Sequence, residues 1–381
     1  MDPRALRLQM LKRVLFPPEV CVSKGSVERL ACLDSARALV VTGNSGRRTG
    51  ALERVTAQLK DATAREVLEL EGGEPRAASI AAARERVAAF APEWIVAVGG
   101  GAVIDAAKFL WAQLEYPDLV FSGKPVSIGP LRRKSRFAAI PTTAGSGSEA
   151  SQAAVLASDD GTKVPYVSPH WVPDLVILDP VLTASLPREI TVATGFDALT
   201  HAVESSVSSL GNPFLRGLAA TSVGLVLRHL PTAADNPQDL AARSGMLEAA
   251  FLAGVCQSMT STGAAHALSH AASKIHKVPH GAATGFFLLP TMRSNRKKNP
   301  ALYDELATGC GLANGAVLEA ALVALVARVG LAQSFDELVG RTPDSAERRT
   351  LAETAAKDVC LRTNACRLGT LELEQLLAEI H

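Results

Sequence analysis

Apolar residues recur along this chain with two different periods, and the change between them falls near residue 187. Before that point short β-branched runs alternate with Ala-rich stretches. The pattern predicts strands at 38–42 (ALVVT), 66–72 (EVLELEG), 94–98 (WIVAV), 137–143 (FAAIPTT) and 175–180 (LVILDP). Between them it predicts helices at 52–64, 76–90 and 103–114. Strand–helix alternation of this kind implies a mostly parallel sheet covered by helices on both faces. From Glu189 onward Leu, Ala and Val recur near every 3.6 residues, the signature of helices with one buried face. The expected organisation is therefore an α/β domain over 1–186 and an all-helical domain over 187–381, with a cleft between them as the place for a site.

Composition narrows the classes without choosing among them. A chain of 381 residues exceeds one ordinary core, in keeping with two domains. A net charge of +1 offers no basic surface for nucleic acid or an anionic membrane. The six cysteines form no CxxC pair and read as reduced thiols of a cytoplasmic protein. The N-terminal run MDPRALRLQMLKRVLFPPE has charges threaded through it and is not expected to be a signal peptide. The stretch 249–273 lacks charge but carries Gln257, Ser258, Thr260, His266 and His270, too polar for a lipid-facing span. It reads as a helix buried within the helical domain, and the apolar helical surface suggests a homo-oligomer, a dimer first.

Chemistry concentrates in the helical half. Asp197 and His201 stand four apart in GFDALTHAVES and project from one helix face. His266 opens HALSHAASKIHKVPHG and His280 nearly closes it, so five of the eight histidines lie in two short, largely apolar stretches. One carboxylate and three imidazoles suit Fe²⁺ or Zn²⁺ better than Mg²⁺ or Ca²⁺, and such a set leaves room for a substrate oxygen beside a Lewis acid. An Asp–His pair at this spacing equally makes a helix-surface hydrogen bond, so spacing alone leaves both readings open.

The α/β half carries turns suited to phosphate. WIVAVGGGAVIDAAK places Gly99, Gly100, Gly101 and Ala102 where a buried strand enters a helix, whose N-terminal amides attract anions. A second strand end, PTTAGSGSEAS, offers Thr142, Thr143 and Ser146 with Ser148 or Ser151 as caps. After the first clear strand the chain has Gly43, Asn44, Ser45, Arg47 and Arg48, where an acidic residue would accept from a ribose 2′-OH. That favours NADP(H) over NAD(H), unless the arginines are simply solvated.

GGGAVIDAAK, PTTAGSGSEAS, TKVPYVSPHWVPDLVILDP, GFDALTHAVES and HALSHAASKIHKVPHG occur in that order over nearly the whole chain. Together they resemble the iron-dependent (group III) alcohol dehydrogenase family. The resemblance implies an N-terminal dinucleotide-binding α/β domain and a C-terminal helical metal-binding domain, the architecture shared with dehydroquinate synthase. It implies metal ligation by Asp197, His201, His266 and His280, with Fe²⁺ expected and Zn²⁺ the alternative. It places the pyrophosphate at Gly99, Gly100 and Gly101, sets Thr142, Thr143, Ser146 and Lys163 along the coenzyme, and puts His270 near the reacting carbonyl. Ala102 departs from the family's usual Ser, and the absence of Asp near Gly43 resembles NADPH-using members.

The activity so implied is hydride transfer between nicotinamide and a small alcohol or aldehyde, with His270 as proton relay or as a partner that orients the site. The basic run Arg132, Arg133, Lys134 and Arg136 raises the expectation of an anionic aldehyde, against the plainer reading of a solvated loop. The alternatives are a metal-dependent lyase or cyclase using the nicotinamide transiently, and a non-catalytic dinucleotide sensor.

Overall fold

In the computed structural model, which describes residues 14–60, 64–124, 126–158 and 162–380, six strands form one wholly parallel sheet. Its order is β1 (Glu19–Val22), β8 (Leu175–Leu178), β5 (Arg136–Pro141), β4 (Trp94–Gly99), β2 (Arg37–Gly43) and β3 (Ala64–Leu70). The near-continuous apolar runs of the central strands follow from burial on both faces. Leu39, Val41, Ile95, Ala97, Phe137 and Ala139 enter one core, while Ala38, Val40, Val96, Val98, Ala138 and Ile140 enter the other. Fully burying an aliphatic side chain contributes roughly 1.5–3 kcal/mol, so burial on both faces of this sheet stabilises the α/β half.

The chain runs outward from β2 to β3 and returns to lay β4 on the other side of β2. Strand order reverses there, and the carboxyl ends of β2 and β4, Gly43 and Gly99, flank the crevice where open α/β sheets take ligands.

Several predicted elements differ in extent. The helix expected over 52–64 is Ala51–Gln58 (α2), and Ala64 already belongs to β3. Helices Ala77–Phe90 (α3) and Gly101–Glu115 (α4) lie within two residues of expectation. Three elements carried no recognised signal: β1, a five-residue helix Asn44–Arg48 (α1), and an antiparallel hairpin of β6 (Ala153–Ala157) and β7 (Lys163–Val167). Most of the N-terminal run lies outside the described residues.

Among the described residues after β8 every regular element is helical: α5 (Arg188–Val207), α6 (Pro213–Asp235), α7 (Leu240–Thr260), α8 (Ala264–His276), α9 (His280–Lys298) and five further α-helices to Ala378. The charge-free stretch 249–273, expected as one helix, is broken between α7 and α8. Ser261 takes a left-handed φ of 58° and Glu204 caps the new N-terminus, accepting from Gly263 N at 2.8 Å and Ala265 N at 2.7 Å. Among the described residues no helix is long and apolar enough to cross a membrane, and all six cysteines are free thiols.

The two halves share a core. Ala144, Ala150, Val176 and Leu178 pack with α5, α6 and α7. Gly147, at φ +64°, meets α7 so closely that a Cβ on it would lie 2.4 Å from Gly254 Cα.

Candidate metal and coenzyme site

Four side chains from three helices converge beside the crevice. Asp197 and His201 come from one face of α5, His266 from the first turn of α8, and His280 from the first residue of α9. Asp197 Oδ1 is 3.7 Å from His266 Nε2 and 3.6 Å from His280 Nε2, and the His201 and His266 rings stack at 4.5 Å. Those separations are too long for hydrogen bonds. Ligands about 2.1 Å from a shared tetrahedral ion lie about 3.4 Å apart, close to what is found. Asp197, His201 and His266 are buried, yet His201 Nδ1 and His266 Nε2 have no hydrogen-bond partner. Orphaned buried nitrogens are costly unless something binds them, so the donor set fits a divalent ion of borderline softness.

A supporting layer sets which nitrogen faces the cluster. Glu204 lies 2.6 Å from His266 Nδ1, and as a carboxylate it accepts, which leaves Nε2 with the lone pair. Ser269 Oγ donates to the His280 carbonyl at 3.1 Å and so accepts from His280 Nδ1 at 3.0 Å. Thr284 Oγ1 lies 3.4 Å from Asp197 Oδ1.

Electrostatics follow the same layout. Burial pushes the Asp197 carboxyl up, but His201, His266 and His280 outweigh it and hold it far below the usual carboxylate range. Burial takes His201 down to about 4. Burial would also lower His266, but Glu204 and Asp197 reverse the sign and raise it to about 9. Burial, then the Lys163 charge, drives His280 well below its ordinary value. A divalent cation held by these side chains would take over from the His266 proton the balancing of the Asp197 and Glu204 carboxylates.

His270, one turn beyond His266, stacks on His280 with ring centroids 5.2 Å apart. Its Nδ1 is 2.8 Å from Asp358 Oδ2. Glu204, Ser269, Thr284 and Asp358 were not identified from the sequence. Glu204 had a signal, because it follows Asp197 by seven and His201 by three on one helix face. Asp358 had none.

On the coenzyme side, Gly100 precedes α4 and no side chain caps that helix, so its first amides are left for an anion. The loop after β5 abuts this turn: a Cβ at Gly101 would lie 2.4 Å from Ser146 Oγ, and one at Gly100 3.4 Å from Thr143 Oγ1. Thr142 N donates to Gly99 O at 3.0 Å. Gly99, Gly100, Gly101, Ala102, Thr142, Thr143 and Ser146 therefore form one surface. Gly43 ends β2 beside it, with Asn44 and Ser45 exposed at the start of α1. Lys163 is ion-paired to Glu74 at 2.6 Å. Its charge disfavours protonation of His280. Arg47 pairs with Glu69 at the end of β3, while Arg48 is exposed.

The basic run proves misplaced for substrate recruitment. Arg136 begins β5, whose far end carries the site, and six residues of strand span roughly 17 Å. Arg132 is held by Asp174 at 2.6 Å and lies over Trp111, Arg133 lies over Tyr116, Lys134 donates to Leu114 O, and Arg136 lies over Trp94. These cations brace the opposite, amino-terminal ends of the strands.

Known proteins resemble this chain in sequence and in fold. Residues 17–180 match the family model "Iron-containing alcohol dehydrogenase", and residues 191–381 match "Fe-containing alcohol dehydrogenase family, C-terminal". An NADPH-dependent butanol dehydrogenase of Clostridium saccharobutylicum is 33% identical over 310 residues, 80% of this chain and 79% of its own. An iron-containing alcohol dehydrogenase of Thermococcus thioreducens superposes with a TM-score of 0.88 at 30% identity, covering 96% of this chain and 99% of that one. A sulfoacetaldehyde reductase of Bifidobacterium kashiwanohense, solved with NAD⁺, gives 0.88 at 26% identity, covering 97% and 99%. With both halves matched and four ligand-type side chains gathered beside a dinucleotide-type crevice, this chain belongs to the iron-containing alcohol dehydrogenase family.

Proposed function

We propose that the chain interconverts a small primary alcohol and its aldehyde, using NADP(H) in preference to NAD(H) and Fe²⁺ held by Asp197, His201, His266 and His280. The observation that carries this reading is the Asp197 carboxylate within 3.7 Å of two Nε2 atoms whose Nδ1 partners are already engaged. When bound, the ion supplies Lewis acidity at the substrate oxygen and the nicotinamide supplies or accepts the hydride. The amides at Gly100, Gly101 and Ala102 bind the pyrophosphate, while Thr142, Thr143, Ser146 and Lys163 line the coenzyme's path. His270 takes the hydroxyl proton during oxidation and returns one during reduction, a general acid–base role that an imidazole can fill.

Two features support NADP(H): no carboxylate stands at Gly43 to repel a 2′-phosphate, and Arg48 is exposed beside it. The butanol dehydrogenase relative points to a short apolar aldehyde as the first substrate. A homodimer is proposed for the assembly, because Phe16, Leu210 and Phe214 expose apolar surface; light scattering tests it.

The experiment is coenzyme oxidation by anaerobically purified, Fe²⁺-loaded protein with short neutral and anionic aldehydes, NADPH and NADH in parallel, and Zn²⁺-loaded and chelated controls. Metal-dependent NADPH oxidation with butanal is expected. Bound metal with no oxidation of either coenzyme would overturn the reading in favour of transient redox chemistry or sensing.

A further inference from the structure

One polar group beside the site has no part in holding the metal. Asp358 precedes the short 3-10 turn Val359–Thr363 and reaches His270 across 88 residues of sequence. Its Oδ1 accepts from Cys360 N at 2.9 Å, and its Oδ2 faces His270 Nδ1 at 2.8 Å. Cys360 Sγ stands in the same group, buried. The carboxylate is thus clamped on one oxygen and offers only an acceptor on the other.

We propose that Asp358 is the positioning residue for His270: it locks the imidazole as its Nδ1–H tautomer and leaves Nε2, on the ring edge away from Asp358, as the atom that exchanges the substrate's hydroxyl proton. This rests on the dehydrogenase reading above, in which His270 is the relay. A proton taken by Nε2 gives an imidazolium whose charge Asp358 offsets, and the proton leaves by the same atom. Asp358 is suited to staying ionised, because the Cys360 N–H on Oδ1 and the ring N–H on Oδ2 both donate to the carboxylate. The same three side chains also resemble a metal site. Burial pushes the Cys360 thiol well up, which disfavours the thiolate such a site requires.

Asp358→Asn is the informative change. Its carbonyl still caps Cys360 N, but its NH₂ now faces Nδ1 and forces the proton onto Nε2. In the Fe²⁺-loaded enzyme kcat should fall about 10–100-fold, with the KM for NADPH and the metal content unchanged. His270→Ala should lose as much, and the double variant no more than His270→Ala alone. In the metal-free protein, ring ¹⁵N shifts, assigned by difference against His270→Ala, should show Nδ1–H in the parent and Nε2–H in Asp358→Asn.

Unchanged kcat in Asp358→Asn, additive losses in the double variant, or an unaltered tautomer would overturn the dyad. So would the loss of a second equivalent of metal, which would assign the cluster to an ion. Full turnover in His270→Ala would remove the relay and the dyad with it. If the parent shows no metal-dependent turnover, the dehydrogenase reading fails, and the ¹⁵N result still decides the Asp358–His270 lock.

Discussion

Glu204 and His266 face each other at 2.6 Å, both buried, and the same carboxylate accepts from the backbone N–H of Gly263 and Ala265. One side chain therefore ends the break between α7 and α8, starts α8, and orients a candidate ligand. Glutamine at 204 keeps one acceptor oxygen for three donors and turns an NH₂ toward one of them. Glu204→Gln should weaken divalent metal binding about 10–100-fold, measured by competition with a chromophoric chelator. An unchanged affinity would show that His266 does not need this partner.

Asp197→Ala removes the only carboxylate of the proposed ligand set. Metal content by elemental analysis and aldehyde reduction should fall to background together. The metal-free variant should melt below the parent, because the change takes away one partner of a buried charge cluster and leaves His266 with less to balance it. Stoichiometric metal in this variant would refute Asp197 as a ligand.

Gly147 and Gly254 let the loop after β5 seat on α7. Gly254→Ala would place a Cβ 2.5 Å from Gly147 O. A forced contact of this kind typically costs about 1–3 kcal/mol, readable as a lower urea midpoint. Because Ser146 in that loop abuts the Gly101 turn, coenzyme affinity should fall with stability. A stability loss with no change in coenzyme binding would separate the loop from the nucleotide.

Under this loop Lys108 Nζ donates to the carbonyls of Ser148, Ser151 and Ala153 at 2.7–2.8 Å. Burial raises Glu149 from 4.5 to about 7 and Asp105 from 3.8 to about 6, and it lowers Lys108 from 10.5 to about 8. A carboxyl whose folded value is raised binds more protons when folded. Its contribution is complete below the unfolded value and is lost as pH rises through the folded one. Lys108 acts in the opposite sense and only above about pH 8. The share of stability held by Glu149 and Asp105 should therefore fall from pH 5 to 7.5, and between those values Glu149→Gln should lose on the order of 2–3 kcal/mol less than the parent. Parallel urea curves for both proteins at the two pH values test this. Identical pH dependence would mean Glu149 ionises freely in the folded state.

Gly43→Asp tests coenzyme choice. The added Cβ comes 3.2 Å from Val103 Cγ2, a contact that a small shift relieves. A carboxylate at the end of β2 should accept from a ribose 2′-OH and repel a 2′-phosphate. The ratio of kcat/KM for NADPH over NADH should drop by at least ~10-fold, or about 1.4 kcal/mol. No change in the ratio would place the adenosine end elsewhere.

Local periodicity and resemblance carried much of this protein in the sequence. A helix repeats every 3.6 residues, so Asp197 and His201 could be paired without coordinates. Buried parallel strands are continuous apolar runs, so β2, β4, β5 and β8 were legible, as were the glycines at their ends. The family itself was legible in five ordered motifs. The tertiary structure decided whatever depends on contacts between distant segments. It joined Asp358 to His270, since hydrogen bonds across 88 residues leave no trace in spacing. It broke 249–273 in two, because Glu204 from another helix satisfies the amides that a continuous helix would have used internally. It put Arg132, Arg133, Lys134 and Arg136 at the amino ends of the strands, away from the site, because strand direction sets which end of a segment meets the crevice. It also tied Arg47 to Glu69, so the charge at the end of β2 depends on how β3 lies alongside.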